Sequence, residues 1–349
     1  MSKFLNNRYS SLEAYTPGEQ PQDMQYVKLN TNESPYPPAP EVLTALSSSD
    51  IADLRLYSDP DCAQLKTALA ETYGVEKENI FVSNGSDDIL NFAFMAFGEN
   101  GAAYPDISYG FYPVFAQLHN IDSTVVPLKE DFSINPADYF GLNRLIVIAN
   151  PNAPTGMTLS LSQVESILAS NPDSVVVIDE AYVDFGGTSC VPLTKKYGNL
   201  LVVMTYSKSR SMAGARLGFA IGSKALIDDL DLLKYSTNPY NVNRLTLKLG
   251  KATLDAADYY REKCAAIIET RAYTTRELEK LGFEVLPSTA NFIFAKKDGV
   301  DGGYIYEQLK KRGVLIRHFT KERIKDYNRI TIGTKEQMDV FLEKLKEII

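Results

Sequence analysis

The sequence contains few of the residues on which disulfide-rich and zinc-dependent proteins rely. It has three cysteines and two histidines in 349 residues. Cysteines this few and this far apart indicate free thiols in a reducing compartment rather than a disulfide framework. Two histidines cannot supply a Cys/His zinc site, and the HExxH motif is missing. We therefore expect a cytoplasmic protein with no metal site.

Long apolar runs are also missing. No run approaches the about 20 residues that a transmembrane helix needs, and the first eight residues contain no apolar core of a secretory signal. The 36 lysines and arginines against 44 aspartates and glutamates give a net charge of −8. This excess repels phosphate backbones. We expect neither a membrane protein nor a nucleic-acid-binding protein.

The P-loop, the GxGxxG fingerprint and the GxSxG nucleophile elbow are missing too, which excludes several common enzyme classes. The composition that remains, 44% hydrophobic and 23% charged, is that of an ordinary globular protein. A length of 349 residues predicts one or two domains.

Short apolar runs alternate with helical patterns along the chain. Continuous runs predict strands buried on both faces, as in a parallel sheet covered by helices, and they lie at 80–83, 145–150, 174–179, 200–205 and 218–222. Further strands are predicted at 291–295 and 329–333. Helices are predicted at 63–73, 87–97, 163–169, 301–312 and 336–348, and one long proline-free helix at 243–281. We predict an α/β fold with an N-terminal arm at 1–45, a large domain at 46–242 and a small domain at 243–349.

Polar segments follow four of these strands, at the edge where open parallel sheets bind ligands. They are the turn 84–87, the loop 150–156, the segment 179–182 and the pair 207–208. Each alone is equally typical of a strand-end turn. Together they bring helix-start amides, an amide side chain, a carboxylate and an amine to one edge.

The order of these segments resembles the fold type I enzymes that use pyridoxal 5′-phosphate, and most closely the histidinol-phosphate aminotransferase family. The matching stretches also include 29–35, 206–219 and 329–333 and span nearly the whole chain. The resemblance implies a large domain with a mostly parallel seven-stranded sheet and a smaller α+β domain built from both chain termini. It also implies a homodimer with composite sites and transamination between glutamate and histidinol phosphate in histidine biosynthesis.

The resemblance assigns roles around the cofactor. Lys208 would hold it covalently and carry the substrate proton, and Asp179 would pair with its ring nitrogen. Tyr182 would hydrogen-bond its 3′-oxygen, and Tyr109 would stack on its ring, although Tyr109 could equally belong to the core. The residues expected around the cofactor phosphate, where helix-start amides and a guanidinium bind anions, are Gly85, Ser86, Asp87, Ser207 and Arg216.

One position departs from the family pattern. The loop Asn-Pro-Asn-Asn-Pro-Thr-Gly has Ala153 in this chain where the family has the asparagine that contacts the 3′-oxygen. Either Asn152 reaches the ring instead, or Tyr182 binds this oxygen alone. A cis peptide in this proline-rich loop is plausible.

The substrate side is also implied by the resemblance. Arg329 would bind an acidic group of the substrate through a bidentate fork, and Arg317 would add charge for a phosphate. Tyr15 would line the site from the arm, and Tyr57 would reach it from the partner subunit. Both arginines could instead be ordinary strand residues.

Two alternatives share every cofactor residue: a threonine-phosphate decarboxylase and an aromatic or broad-specificity aminotransferase. A third, a non-enzymatic regulatory module that binds the cofactor, would be supported by a basic DNA-binding segment of about 60–70 residues. The sequence starts almost directly with the arm, so we expect an enzyme.

Overall fold

The computed structural model describes residues 2–349. The helices are α1 Pro40–Leu43, α2 Ser48–Ala52, α3 Ala63–Tyr73, α4 Ser86–Phe97, α5 Phe111–His119, α6 Leu161–Ala169, α7 Lys224–Thr237, α8 Arg244–Asp255, α9 Ala257–Lys280, α10 Gly302–Lys311 and α11 Lys335–Lys346. The strands are β1 Val27–Lys28, β2 Ile80–Ser83, β3 Ala102–Pro105, β4 Ser123–Val126, β5 Leu145–Ala149, β6 Val176–Asp179, β7 Leu200–Thr205, β8 Gly218–Gly222, β9 Phe283–Val285, β10 Phe292–Lys297, β11 Val314–Leu315, β12 Arg317–His318 and β13 Asn328–Thr331.

Seven strands form one large sheet in the order β2-β8-β7-β6-β5-β3-β4. Only β8 runs antiparallel to its neighbours, and the other pairs are parallel. The predicted mostly parallel seven-stranded sheet is therefore confirmed. Alternate residues of β5 point into two different cores, because successive side chains of a strand face opposite sides. This explains the continuous apolar runs in the sequence.

A second core is built by both ends of the chain. β12, β13, β10 and β9 form an antiparallel sheet, and β1 pairs in parallel with β11. Apolar side chains of α9, α10 and α11 pack on it together with Leu29 from the N-terminal segment. A smaller α+β unit made from both termini was predicted, and its proposed boundaries at residues 45 and 242 stay predictions.

The prediction of one continuous helix over 243–281 is wrong. α8 ends at Asp255 and α9 begins at Ala257. Ala256 between them has non-helical dihedral angles and packs with Ala39, Val42 and Tyr260 in a small separate core. Tertiary packing therefore sets this break, and neither glycine nor proline marks it in the sequence.

Three further observations concern the residues that the structure describes. No helix within 2–349 combines the length and apolar character needed to cross a membrane. The side chains of the same residues form no cluster of three or more potential metal ligands. Cys62, Cys190 and Cys264 are all buried and unpaired.

Candidate active site

A cavity of about 450 Å³ lies at the carboxyl ends of the central strands. It is reached by the last residues of β5, β6 and β7, as expected for an open parallel sheet. Its lining includes Ser86, Asp87, Tyr109, Ala149, Asp179, Tyr182, Thr205, Ser207, Lys208 and Arg216. The strand-end segments that stand out in the sequence thus converge on one cavity.

Lys208 follows the end of β7 by three residues, and its side chain lines this cavity. Its Nζ donates a 3.3 Å hydrogen bond to the carbonyl of Thr31 and lies 5.8 Å from the centre of the Tyr182 ring. Burial, with the positive charge of Arg329 as a second cause, lowers the pKa of Lys208 to about 8. The lysine therefore has a larger neutral, nucleophilic fraction near pH 7 than an exposed lysine.

Asp179, the last residue of β6, is buried beneath the cavity. One carboxylate oxygen accepts a 2.9 Å hydrogen bond from the hydroxyl of Tyr112, and the other accepts one from the backbone amide of Ala181 at 3.2 Å. Burial raises the pKa of Asp179 to about 6, against the lowering effect of both hydrogen bonds. A cationic partner in the cavity would stabilise the ionised carboxylate.

An anion cradle lies at the start of α4. Gly85 precedes the helix with a φ of 92°, and a Cβ at this position would lie 2.8 Å from Nη2 of Arg216. Arg216 Nη1 donates to the hydroxyl of Ser207 at 3.4 Å, and Nη2 donates to the Asp87 carboxylate at 3.0 Å. The helix-start amides of Ser86 and Asp87, a hydroxyl and a guanidinium together form a typical phosphate site.

Tyr109 lines this cavity, although it also packs against the core of the large sheet. Its hydroxyl donates a 2.7 Å hydrogen bond to Asp87, and its edge packs against Tyr112 with ring centres 5.7 Å apart. These contacts fix the ring as one wall of the site. That it stacks on a cofactor stays a prediction.

The loop after β5 presents Ala153 to the cavity, whereas the Asn152 side chain forms hydrogen bonds within the loop and to the segment before α5. Asn152 Nδ2 donates to the carbonyl of Ile107 at 3.0 Å and to Thr155 at 3.1 Å, and its Oδ1 accepts from Ser108 at 2.7 Å. Its polar atoms are therefore satisfied away from the cavity. The alternative in which Asn152 reaches the ring finds no support in these contacts. The peptide bonds before Pro151 and Pro154 are both cis.

A second cavity, of about 670 Å³, adjoins the first and shares Tyr109, Ala153, Tyr182 and Lys208 with it. Tyr15, Arg317 and Arg329 line its other side. The Tyr15 ring stacks on Phe111 at 4.2 Å, which holds the arm against α5. The structure therefore brings the residues predicted for the substrate to the cavity that opens onto Lys208.

The two arginines of this cavity are held by backbone carbonyls. Nη2 of Arg329 donates to the carbonyl of Asn30 at 2.9 Å, and that of Arg317 donates to the carbonyl of Thr16 at 3.4 Å. Neither guanidinium forms an ion pair with any carboxylate in the part of the chain that the structure describes, and the buried Nε of Arg329 has no hydrogen-bond partner there. This concentrates unpaired positive charge beside Lys208, and burial lowers the pKa of Arg329.

Tyr57 lines neither cavity of its own chain. It is 78% exposed and stacks on Tyr240 with ring centres 4.5 Å apart. Leu43, Ile51 and Leu54 are similarly exposed on the nearby helical segments. The geometry leaves Tyr57 free to contact another protein, as the prediction of a shared site requires.

Sequence reasoning missed two residues that support the site. Tyr112, which hydrogen-bonds Asp179, stands three positions after Tyr109, in the first turn of α5. Asn32, whose Nδ2 donates to the Tyr182 hydroxyl at 3.0 Å, lies inside the matching stretch 29–35. Its left-handed backbone, with a φ of 56°, marks it as an unusual position, but this conformation is visible only in the folded chain.

Comparisons with known proteins cover almost the whole chain. Residues 24–345 match the family described as aminotransferase class I and II. The histidinol-phosphate aminotransferase of Brachyspira hyodysenteriae is 50% identical over 352 residues, and that of Clostridium botulinum is 47% identical over 351; each match covers 100% of this chain and 99% of the relative. The solved histidinol-phosphate aminotransferase from Sinorhizobium meliloti, in complex with pyridoxal-5′-phosphate, has a TM-score of 0.83 at 25% identity, covering 93% of this chain and 91% of that one.

Proposed function

We propose, since the chain belongs to the class I and II aminotransferases, that it is a pyridoxal-phosphate-dependent histidinol-phosphate aminotransferase. In the biosynthetic direction glutamate gives its amino group, and imidazole-acetol phosphate receives it to become histidinol phosphate. The observation that carries the proposal is the convergence of Lys208 with two unpaired arginines, Arg317 and Arg329, on adjoining cavities. The full-length likeness to relatives of that name supports the same substrate.

The cavity residues fit the cofactor group by group. The Arg216 guanidinium and the amides at the start of α4 suit a phosphate, the Asp179 carboxylate suits a protonated ring nitrogen, and Lys208 suits an aldehyde. When bound, pyridoxal phosphate supplies the electron sink on which amino-group transfer depends. In the free chain, Arg216 pairs with Asp87 at 3.0 Å, so we expect this guanidinium to share its donors with the phosphate.

The side chains of this chain then have separate tasks. The Lys208 amine binds the cofactor and, once released, moves a proton at the substrate carbon from which the amino group leaves. Asp179, positioned by Tyr112, keeps a proton on the ring nitrogen by pairing with it. Tyr182 would donate a hydrogen bond from its hydroxyl to the 3′-oxygen, without help from Asn152.

The substrate cavity suits a dianion better than a neutral side chain. Arg329 is fixed on β13 and Arg317 on β12, so a carboxylate can be held by one guanidinium and a phosphate by both. Glutamate and the phosphate-bearing substrate thereby use one cavity in turn. Among the contacts of residues 2–349, none favours the decarboxylase or the broad-specificity aminotransferase.

A panel assay tests the proposal. Purified protein loaded with cofactor is given glutamate and either imidazole-acetol phosphate, phenylpyruvate or oxaloacetate, and separately threonine phosphate. We expect kcat/KM for imidazole-acetol phosphate to exceed that for phenylpyruvate by at least about 100-fold, because the single carboxylate of phenylpyruvate leaves Arg317 without an anionic partner. Equal values would support the broad-specificity enzyme, and carbon dioxide release from threonine phosphate would support the decarboxylase.

We also propose that the active unit is a homodimer in the cytoplasm. The exposed Tyr57 and its apolar surroundings support an isologous interface through which each subunit lends this side chain to the other's site. Three buried, unpaired thiols suit a reducing compartment.

A further inference from the structure

Three consecutive residues between the two cavities each contact a different side chain of the proposed site. The contacts are the carbonyl of Asn30 with Arg329 Nη2 at 2.9 Å, the carbonyl of Thr31 with Lys208 Nζ at 3.3 Å, and Nδ2 of Asn32 with the Tyr182 hydroxyl at 3.0 Å. Two of these use backbone atoms that any residue could supply. The third depends on the Asn32 side chain.

Asn32 is held in place from every side. It is 1% exposed and adopts a left-handed backbone with φ of 56°. Its backbone N–H donates to the Thr331 hydroxyl at 3.0 Å, and its backbone carbonyl accepts from Asn291 Nδ2 at 2.9 Å. Such a conformation suits asparagine, aspartate or glycine and is strained for most other residues. The side chain therefore has one fixed position relative to Tyr182.

The hydrogen bonds also fix which end of the Asn32 side chain faces Tyr182. The Thr331 hydroxyl accepts a hydrogen bond from the Asn32 backbone N–H, so it can donate its own proton in a hydrogen bond to Asn32 Oδ1 at 2.9 Å. This leaves Nδ2 as the donor toward the Tyr182 oxygen. With the reverse orientation, the Thr331 proton would lose this acceptor.

This arrangement leaves the Tyr182 hydroxyl proton unused by Asn32. Because the phenol oxygen already accepts a hydrogen bond from Asn32 Nδ2, its own O–H is free to point elsewhere, and Tyr182 lines both cavities. Burial raises the pKa of Tyr182, so the hydroxyl stays protonated and can act as a donor.

We propose that Asn32 is a positioning residue of the transamination site, which directs the Tyr182 hydroxyl proton into the cofactor cavity. The inference rests on the proposed function, in which Tyr182 donates to the cofactor's 3′-oxygen. Through Thr331, which stands two residues after Arg329 on β13, Asn32 also ties this donor to the strand that carries the substrate-binding arginine.

Two substitutions that tolerate the left-handed backbone test the role. Asn32→Gly removes the Nδ2 group that donates to Tyr182. Asn32→Asp replaces this group with a carboxylate, to which the Tyr182 hydroxyl would donate instead of pointing into the cavity. The matched control is Asn143→Gly, at another left-handed asparagine that is exposed and remote from the site. The measurement is the pH midpoint of the bound cofactor's absorbance change, together with cofactor affinity and unfolding temperature, all without substrate.

We expect both Asn32 variants to raise the pH midpoint, by about one unit for Asn32→Asp, because the Tyr182 hydroxyl is then no longer directed to the negative 3′-oxygen. Asn143→Gly should not move it. In a Tyr182→Phe background, Asn32→Gly should add no further shift, since its effect passes through the missing hydroxyl. A merely structural role would lower the unfolding temperature and leave the midpoint in place.

The outcomes separate the two proposals. An unmoved midpoint in Tyr182→Phe itself would contradict the cofactor role of Tyr182. A midpoint that moves in Tyr182→Phe but not in Asn32→Gly or Asn32→Asp would overturn the positioning role alone. An equal shift from Asn32→Gly with and without the Tyr182 hydroxyl would overturn it as well. If Asn32→Asp fails to bind cofactor, Asn32→Gly decides the question.

Discussion

Arg317 and Arg329 are directly opposite each other on the antiparallel strands β12 and β13. Like charges in this relationship are destabilising, and within residues 2–349 neither guanidinium is neutralised by a carboxylate. Both instead donate to backbone carbonyls at the edge of the larger cavity. We therefore expect the pair to reduce stability in the free chain and an anion bound between the two side chains to offset the repulsion.

Replacing either arginine should lower kcat/KM by an amount that depends on the charge of the substrate. Arg329→Lys keeps the charge but loses the bidentate fork, and we expect a loss of about 2–4 kcal/mol, or roughly 30- to 1,000-fold in kcat/KM, with glutamate and with the phosphate substrate. Arg317→Ala should impair the phosphate substrate more than glutamate. Steady-state kinetics with each substrate measures both effects.

The control for these variants is Arg276→Ala, which removes an exposed positive charge from α9, away from the cavity. It should leave both substrates unaffected. Arg317→Ala should also keep or raise the unfolding temperature of the cofactor-free protein, because it relieves the repulsion. An equal loss for glutamate and the phosphate substrate would contradict the phosphate role of Arg317.

Asp179→Asn should retain much of the cofactor but lose most of the rate. A neutral amide cannot hold the ring nitrogen protonated, which should cost about 2–4 kcal/mol in the barrier. Tyr112→Phe is the matched comparison, because it keeps the carboxylate and removes only its 2.9 Å hydrogen bond, so its loss should be smaller. Single-turnover rates with glutamate measure the change. An unchanged rate in Asp179→Asn would make the carboxylate purely structural.

Attachment of the cofactor to Lys208 should depend on pH in a defined direction. The amine attacks only when neutral, and its pKa of about 8 means that it is mostly protonated below this pH. The attachment rate to cofactor-free protein should therefore rise about tenfold per pH unit and level off above about pH 8. Stopped-flow absorbance measures this rate. After borohydride reduction, cofactor found on any other lysine would contradict the assignment.

Subunit exchange tests the shared site. Lys208→Ala lacks the amine, and Tyr57→Ala lacks the side chain that we propose to be lent to the partner. Mixed dimers should regain part of the activity, because one of their two sites is intact. The measurement is activity after mixing two variants that are each well below wild type. No recovery despite demonstrated exchange, or full activity from a monomer, would speak against composite sites.

Much of the fold could be predicted because burial on both faces leaves a strong pattern. The apolar runs of β5, β6, β7 and β8 predicted the centre of the sheet. The edge strand β4 was not singled out, because its partly exposed Ser-Thr-Val-Val sequence lacks that pattern. The break at Ala256 depends on contacts with distant residues, which no local pattern contains.

The candidate site could be predicted where chemistry demands one residue type at one place. The amine of Lys208 and the carboxylate of Asp179 at strand ends are such cases. Asn32 could not be identified as a supporting residue, since its importance comes from contacts with Thr331 and Tyr182 that are distant in sequence. The hydrogen-bond partners of Asn152 likewise depend on the folded loop and could not be predicted from the sequence.

The most direct test of the central claim follows the amino nitrogen itself. Cofactor-loaded protein is incubated with ¹⁵N-glutamate and imidazole-acetol phosphate, and the products are measured by mass spectrometry. The account predicts ¹⁵N-histidinol phosphate in an amount equal to the 2-oxoglutarate formed, and none with Lys208→Ala. Unlabelled product, or no histidinol phosphate from protein that carries its full complement of cofactor, would contradict it.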